Sequence, residues 1–199
     1  FGEFLHAFQD MSMWERFQVA LFQGITPRTA GFNTINLNSL HPHCLYMMIL
    51  LMFIGASPGS TGGGVKTTTF AVLLQSVTAT LRGKYDVEFF ERKIPSATVV
   101  KSIAIFIISL IVVSAGVLIM MRLEPDKSFL ALFFEVTSAF GTVGLSMGIT
   151  PFLSVLGKFT IIMMMFIGRV GPLTLVLAVG SKAASRSNVE YPEGKILIG

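Results

Sequence analysis

The sequence predicts an all-α integral membrane fold built from two helix–pore loop–helix repeats. Three observations predict it. Hydrophobic residues make up 52% of the 199 positions and charged residues only 13%, with a mean hydropathy of +0.72; soluble domains carry roughly 25% charge. Residues 102–121 form a run of 20 uncharged side chains, long enough at about 1.5 Å per residue to cross a hydrocarbon core of roughly 30 Å. The chain also repeats itself at an offset of 113 residues. Thr29-Ala30-Gly31 meets Thr142-Val143-Gly144, Leu40 meets Leu153, and Met52-Phe53-Ile54-Gly55 meets an identical Met165-Phe166-Ile167-Gly168. An identical tetrapeptide in one register with two glycine segments points to a duplicated membrane unit, a common arrangement in transport folds.

Taken in order, residues 1–10 read as the outer end of a membrane helix or a surface linker. The partner of 102–121 at the repeat offset would fall before residue 9, so the expectation is a C-terminal part of a longer protein, cut inside its first repeat. Ser12 is a possible N-cap with Glu15 three residues on, a capping-box pattern. It opens a short helix over 14–24, too short to span. Residues 23–38, rich in Thr, Asn and Gly, are expected as loop and extended backbone. His41-Pro42-His43 is expected as an exposed turn, and with no third ligand nearby it predicts no metal site.

Apolar residues 45–54 and 70–81 flank a glycine-rich break. Neither flank spans alone; together they do, which predicts a discontinuous helix of the kind that marks ion paths. Pro58 cannot donate to a helical ladder, and each glycine lowers helix propensity by about 1 kcal/mol. Residues 82–101 form a polar linker with five basic residues (Arg82, Lys84, Arg92, Lys93 and Lys101) against Asp86, Glu88 and Glu91. The positive-inside rule places that linker in the cytoplasm. Both glycine segments then face outside, and the chain ends inside among Lys182, Arg186 and Lys195. After the 102–121 span, Asp126 or Ser128 caps a second short helix over 130–139. Residues 159–180 read as the final span, with Arg169 near its middle. A membrane-depth arginine costs roughly 2.5–3.5 kcal/mol on insertion scales and faces a cavity or a partner.

Both short helices would aim the negative ends of their dipoles, roughly half an elementary charge each, at one central point that favours a cation. The residues that follow would line a path with backbone carbonyls, since irregular backbone survives at membrane depth only where protein buries it or water meets it. One position per segment must turn left-handed to aim its carbonyl, and Gly31 and Gly144 fit that role. Other chemistries are excluded. Gly59-Ser60-Thr61-Gly62-Gly63-Gly64-Val65-Lys66-Thr67 approaches a phosphate-binding loop, but Val65 intrudes between glycine and lysine and no soluble strand precedes it. The lone Cys44 excludes a disulfide framework. The net charge of +4 comes without a basic stripe for nucleic acid. No Ser-His-Asp set, carboxylate pair or metal cluster suggests an enzyme.

Thr26-Pro27-Arg28-Thr29-Ala30-Gly31-Phe32-Asn33-Thr34, the glycine-rich stretch 55–69, and the ending Glu190-Tyr191-Pro192-Glu193-Gly194-Lys195 resemble the Trk/Ktr/HKT superfamily of potassium transporters, and in particular its bacterial Ktr membrane subunits. The resemblance covers essentially the whole chain. It implies four helix–pore loop–helix repeats around one pore, of which this chain is half. Residues 1–81 would be a third-type repeat, 82–98 a cytoplasmic linker, 99–187 a fourth-type repeat and 188–199 a cytoplasmic tail. It implies potassium uptake across the cell membrane, a homodimer, and a cytoplasmic nucleotide-binding regulatory ring of the KtrA kind. The filter would be Thr29, Ala30, Gly31, Phe32 and Asn33 with Thr142, Val143, Gly144, Leu145 and Ser146. Potassium at filter carbonyls would be the only metal, with no organic cofactor. The gate would be an intramembrane loop of Gly55, Ser57, Pro58, Gly59, Ser60, Thr61, Gly62, Gly63, Gly64 and Lys66, with Arg169 beside it. Thr142-Val143-Gly144 keeps only half of the Thr-Val-Gly-Tyr-Gly of tetrameric potassium channels. Two alternatives stay open: a non-selective or sodium-conducting channel of the same architecture, and a membrane scaffold whose glycines merely pack helices, Gly55 and Gly59 having small-xxx-small spacing.

Overall fold

The computed structural model describes residues 11–84, 86–89 and 91–171. Among the described residues six α-helices carry the fold: α1 (Met13–Ile25), α2 (Pro42–Phe53), α3 (Thr67–Leu81), α4 (Ser96–Leu123), α5 (Phe129–Phe140) and α6 (Val155–Val170). Between α3 and α4 a small hairpin pairs β1 (Glu88–Phe89) with β2 (Arg92–Lys93), matching Glu88 to Lys93 and Phe89 to Arg92. Lys84 and Lys93 pair there with Glu88 and Asp86. The polar linker is therefore a structured turn.

The helix boundaries follow local chemistry. Ser12 caps α1 in a full capping box with Glu15. Ser128, not Asp126, caps α5, its hydroxyl accepting from the Ala131 amide at 3.3 Å. Ser154 does the same for α6 through Gly157. One expectation is corrected: His41-Pro42-His43 is no turn, His41 being the N-cap of α2 and Pro42 its first helical residue, where a missing N–H costs nothing. The helix of the final span begins at Val155 and ends at Val170, with Gly171 at φ 91°; the proline that follows disfavours helical geometry in the residue before it. The rest of that span, the tail 188–199 and residues 1–10 lie outside the described residues.

Among the described residues α4 is the one helix long and apolar enough to cross a membrane. The centre of the fold is α5, with nine of its twelve residues buried. One apolar cluster joins α5 to α4 and α6 through Val136, Phe140, Val117, Met120, Ile161 and Met164. A second joins it to α2 through Phe134, Ile49, Met52 and Met48, continuing into Leu37, Val143 and Leu145. Phe133 packs against both, and Phe53 against the first, stacked on Phe140 at 6.1 Å and edge-on to Phe106 at 5.8 Å between ring centroids. The element order recurs. The 3-10 turns Leu37–Ser39 and Thr150–Phe152, and the starts of α2 at Pro42 and α6 at Val155, are all separated by 113 residues.

Candidate functional site

Each of the two short helices, α1 and α5, ends in a tightly turned Thr-x-Gly segment. After α1 the Thr26 carbonyl accepts from both the Ala30 and Gly31 amides, at 3.2 and 3.4 Å. After α5 the Val143 amide donates back to Ser138 at 2.9 Å. In both segments two residues turn left-handed: Thr29 (φ 68°) with Gly31 (φ 71°), and Thr142 (φ 52°) with Gly144 (φ 89°). Glycine adopts this region freely; a β-branched threonine there stores about 1–3 kcal/mol, strain that clusters at functional sites. In both segments the left-handed residues alternate with an ordinary one, Ala30 and Val143.

The segments meet at their glycines. A Cβ built on Gly31 would lie 2.2 Å from the Val143 carbonyl oxygen, and one on Gly144 would lie 3.8 Å from the Gly31 Cα. The residue after each glycine is held from behind. Thr26 Oγ1 donates to the Phe32 carbonyl and Ser138 Oγ to the Leu145 carbonyl, both at 2.6 Å. Phe32 itself projects outward, 71% exposed. The next residue is also tied. Gln23 Nε2 donates to Asn33 Oδ1 at 3.3 Å and to Thr34 Oγ1 at 3.5 Å, while Glu135 accepts from Ser146 Oγ and from Thr150 Oγ1 at 3.0 Å. Sequence reasoning missed Gln23, Glu135 and the left-handed threonines. The one available signal was a polar residue in a short, mainly apolar helix.

The glycine-rich loop closes on itself and reaches both threonines. Ile54 and Val65 form a parallel bridge, with the Gly55 amide donating to Val65 at 2.8 Å and the Val65 amide to Phe53 at 3.1 Å. The ends of α2 and α3 are thus pinched together, and the chain between them makes an excursion. A Cβ on Gly62 would lie 2.8 Å from Thr29 Cγ2, and one on Gly63 would lie 2.8 Å from Thr142 Cγ2. The Gly63 amide donates to Thr142 Oγ1 at 2.7 Å. Two cations grip three successive loop carbonyls. Lys66 Nζ donates to Gly62 at 2.6 Å and Ser60 at 3.3 Å, and Arg169 Nη1, from the last turn of α6, donates to Thr61. Ser57, Pro58 and Gly59 form the exposed far tip, closed by Ser60 donating to the Ser57 carbonyl, while Gly63 is buried against Thr142 and Val65 is buried at the bridge. Gly55 is buried, and Gly64 takes φ 74° beside it. His41 and His43, at the start of α2, stack at 5.5 Å, and among the described residues no cluster suits a metal.

Residues 5–191 match the family model "TrkH: Cation transport protein". The chain is 44% identical over 185 residues to the Ktr system potassium uptake protein B of Bacillus subtilis (strain 168), covering 93% of this chain and 41% of that protein. It is 42% identical over 189 residues to the potassium/sodium uptake protein NtpJ of Enterococcus hirae, covering 93% of this chain and 42% of the relative. The chain thus spans about two fifths of the length of these curated relatives. The crystal structure of the potassium transporter TrkH from Vibrio parahaemolyticus matches with a TM-score of 0.72 at 22% identity, over 88% of this chain and 39% of that one, so the fold is shared.

Proposed function

The chain belongs to the TrkH family of cation transport proteins, and from that premise we propose that it supplies two helix–pore loop–helix repeats of a membrane pore for potassium uptake. Residues 1–81 form the third-type repeat and 99–187 the fourth, joined by a cytoplasmic linker at 82–98 and followed by a cytoplasmic tail. The filter segments are 29–33 and 142–146. One observation carries this reading: two Thr-x-Gly segments with the same pair of left-handed residues, each at the end of a short helix, touch at their glycines. A helix-packing scaffold needs small residues but not this matched backbone. The dipoles of α1 and α5 place partial negative charge at the same point, suited to a dehydrating cation. The loop around Gly62 and Gly63, lying against both threonines, is the gate, with Lys66 and Arg169 as its clamps. The remaining repeats, a second copy of the subunit and a cytoplasmic nucleotide-binding ring complete the transporter.

The test is potassium uptake by the full-length protein in uptake-deficient cells, with potassium-to-sodium preference measured alongside. Gly31→Ala and Gly144→Ala each put an L-residue in the left-handed region, at about 1–3 kcal/mol. Gly31→Ala also drives a methyl into the Val143 carbonyl, so it loses more preference than Gly144→Ala. Wild-type uptake and preference in both variants, at normal membrane levels, eliminates the filter assignment. A relative named for both potassium and sodium gives the sodium-conducting reading its standing. Equal fluxes of the two ions through the wild-type protein decide for it.

A further inference from the structure

Glu135 sits in the most buried helix of the fold and has no part in the filter as drawn above. It is only 4% exposed. A carboxyl group taken so far from water is costly unless donors replace the lost hydration. Here the donors all come from the stretch after Gly144. Ser146 Oγ donates to Oε1 and Thr150 Oγ1 donates to Oε2 at 3.0 Å. Ser146 Oγ and Thr150 Oγ1 lie 2.8 Å apart, and Ser146 Oγ accepts from the Gly148 amide at 2.9 Å. One turn along the same helix, Ser138 holds the Leu145 carbonyl at 2.6 Å. Residues three apart share a helix face, so α5 grips two consecutive residues directly beyond Gly144.

The other half of the molecule repeats this hold with different side chains. Thr26 holds the Phe32 carbonyl, and Gln23, three residues earlier, holds Asn33 and Thr34. The held residues correspond at the 113-residue offset: Phe32 with Leu145 and Asn33 with Ser146. The holders correspond at 112, Gln23 with Glu135 and Thr26 with Ser138, so one helix is displaced by a residue and the same two-point clamp still forms. A carboxyl and an amide of similar reach do one job.

We infer that Glu135 is a positioning residue for the ion path: through Ser146 and Thr150 it fixes the outer end of the second filter segment, and Gln23 is its neutral counterpart in the first. The inference rests on the ion-path reading of these segments. It acts on the placement of carbonyls around Gly144, so its loss alters which ion passes, beyond how much protein inserts. Glu135→Gln keeps the size and one acceptor and retains part of the hold; Glu135→Ala removes it.

The experiment measures potassium KM and potassium-to-sodium uptake ratio for the full-length protein, with membrane level and melting temperature read in parallel. Glu135→Ala is expected to lower the ratio at least tenfold, with Glu135→Gln between it and wild type. The double variant Ser146→Ala/Thr150→Ala is expected to match Glu135→Ala, and combining all three changes adds no further loss. A wild-type ratio in inserted Glu135→Ala overturns the inference, as does a full second loss in the combined variant. Where Glu135→Ala fails to insert, the Ser146→Ala/Thr150→Ala pair decides: a lowered ratio supports the hold and a wild-type ratio overturns it. If the unmodified protein takes up no potassium, the ion-path reading itself fails. Wild-type uptake with loss in Gly144→Ala but none in Glu135→Ala removes only the role of Glu135.

Discussion

Glu124 ends α4 and begins the structure of α6. Its Oε1 accepts from the Ser154 amide at 2.7 Å, at the N-cap of α6, and a Cβ on Gly157 would lie 2.6 Å from the same oxygen, so only glycine leaves room for it. The N-terminal end of a helix is partially positive and favours a carboxylate. Hydrogen bonds from Ser154, side chain and then backbone, hold the Glu124 carboxyl below the usual carboxylate range, with smaller help from Lys127 and Lys158. A lowered folded value means the ionised group stabilises the fold above the ordinary carboxylate range. That contribution fades as the pH falls through the lowered value. Glu124→Gln is therefore expected to melt at a lower temperature than wild type at pH 7, with the gap shrinking on acidification. A gap that is constant or widens in acid shows that the charge is not what caps α6. The left-handed threonines belong to this scale too. Each costs strain, and each is compensated by packing, Thr142 through its hydrogen bond from Gly63 and Thr29 through its contact with Gly62.

In the proposed transporter the glycine-rich loop must change its arrangement to open the path. Ordering glycine costs more backbone entropy than ordering any other residue. The loop keeps its place through the Ile54–Val65 bridge, the Gly63–Thr142 bond and the two cationic clamps. Its tip at 57–61 is exposed, so few apolar contacts hold it. A small free-energy difference between an inserted and a withdrawn loop is what a partner can bias. Arg169→Ala releases the Thr61 carbonyl, and shortening the loop within 57–64 removes the inserted part. Both changes are expected to raise potassium flux and weaken dependence on a regulatory partner, with potassium-to-sodium preference kept. Uptake measured with and without the partner checks this. If both variants insert and keep wild-type flux and partner dependence, the loop is only a break between α2 and α3, and gating lies elsewhere.

The whole molecule must sit across the membrane in one orientation. α4 has the length and composition of a span, and the hairpin at its start carries the basic residues. In the proposed topology the positive-inside rule puts the hairpin in the cytoplasm and the 3-10 turn at Leu37–Ser39 outside. In a Cys44→Ala background of the full-length protein, a cysteine at Asn38 is expected to label from outside intact cells and one at Lys84 only after permeabilisation. The reverse pattern inverts the topology. The two short helices also differ in surroundings. α5 is enclosed, whereas α1 buries Gln23 alone and leaves Trp14, Phe17, Leu21 and Ile25 exposed. In the proposed transporter that apolar face of α1 is where the remaining repeats pack.

The sequence alone determined the class of solvent, the existence and approximate positions of the helices, and the correspondence of the two glycine segments. These rest on composition, on capping residues that act within three positions, and on a repeat visible as identity at one offset. The Ser12–Glu15 capping box and the left-handed Gly31 and Gly144 were legible for that reason. Only the tertiary structure decided that Arg169 reaches Thr61 across 108 residues, that Gly63 binds Thr142 across 79, and that Gln23 and Glu135 clamp the segments that follow them. Those contacts depend on how helices cross and how far a loop folds back. Hydrophobic periodicity specifies which face of a helix is apolar, but it leaves open which polar atom a neighbouring segment will bring within 3 Å.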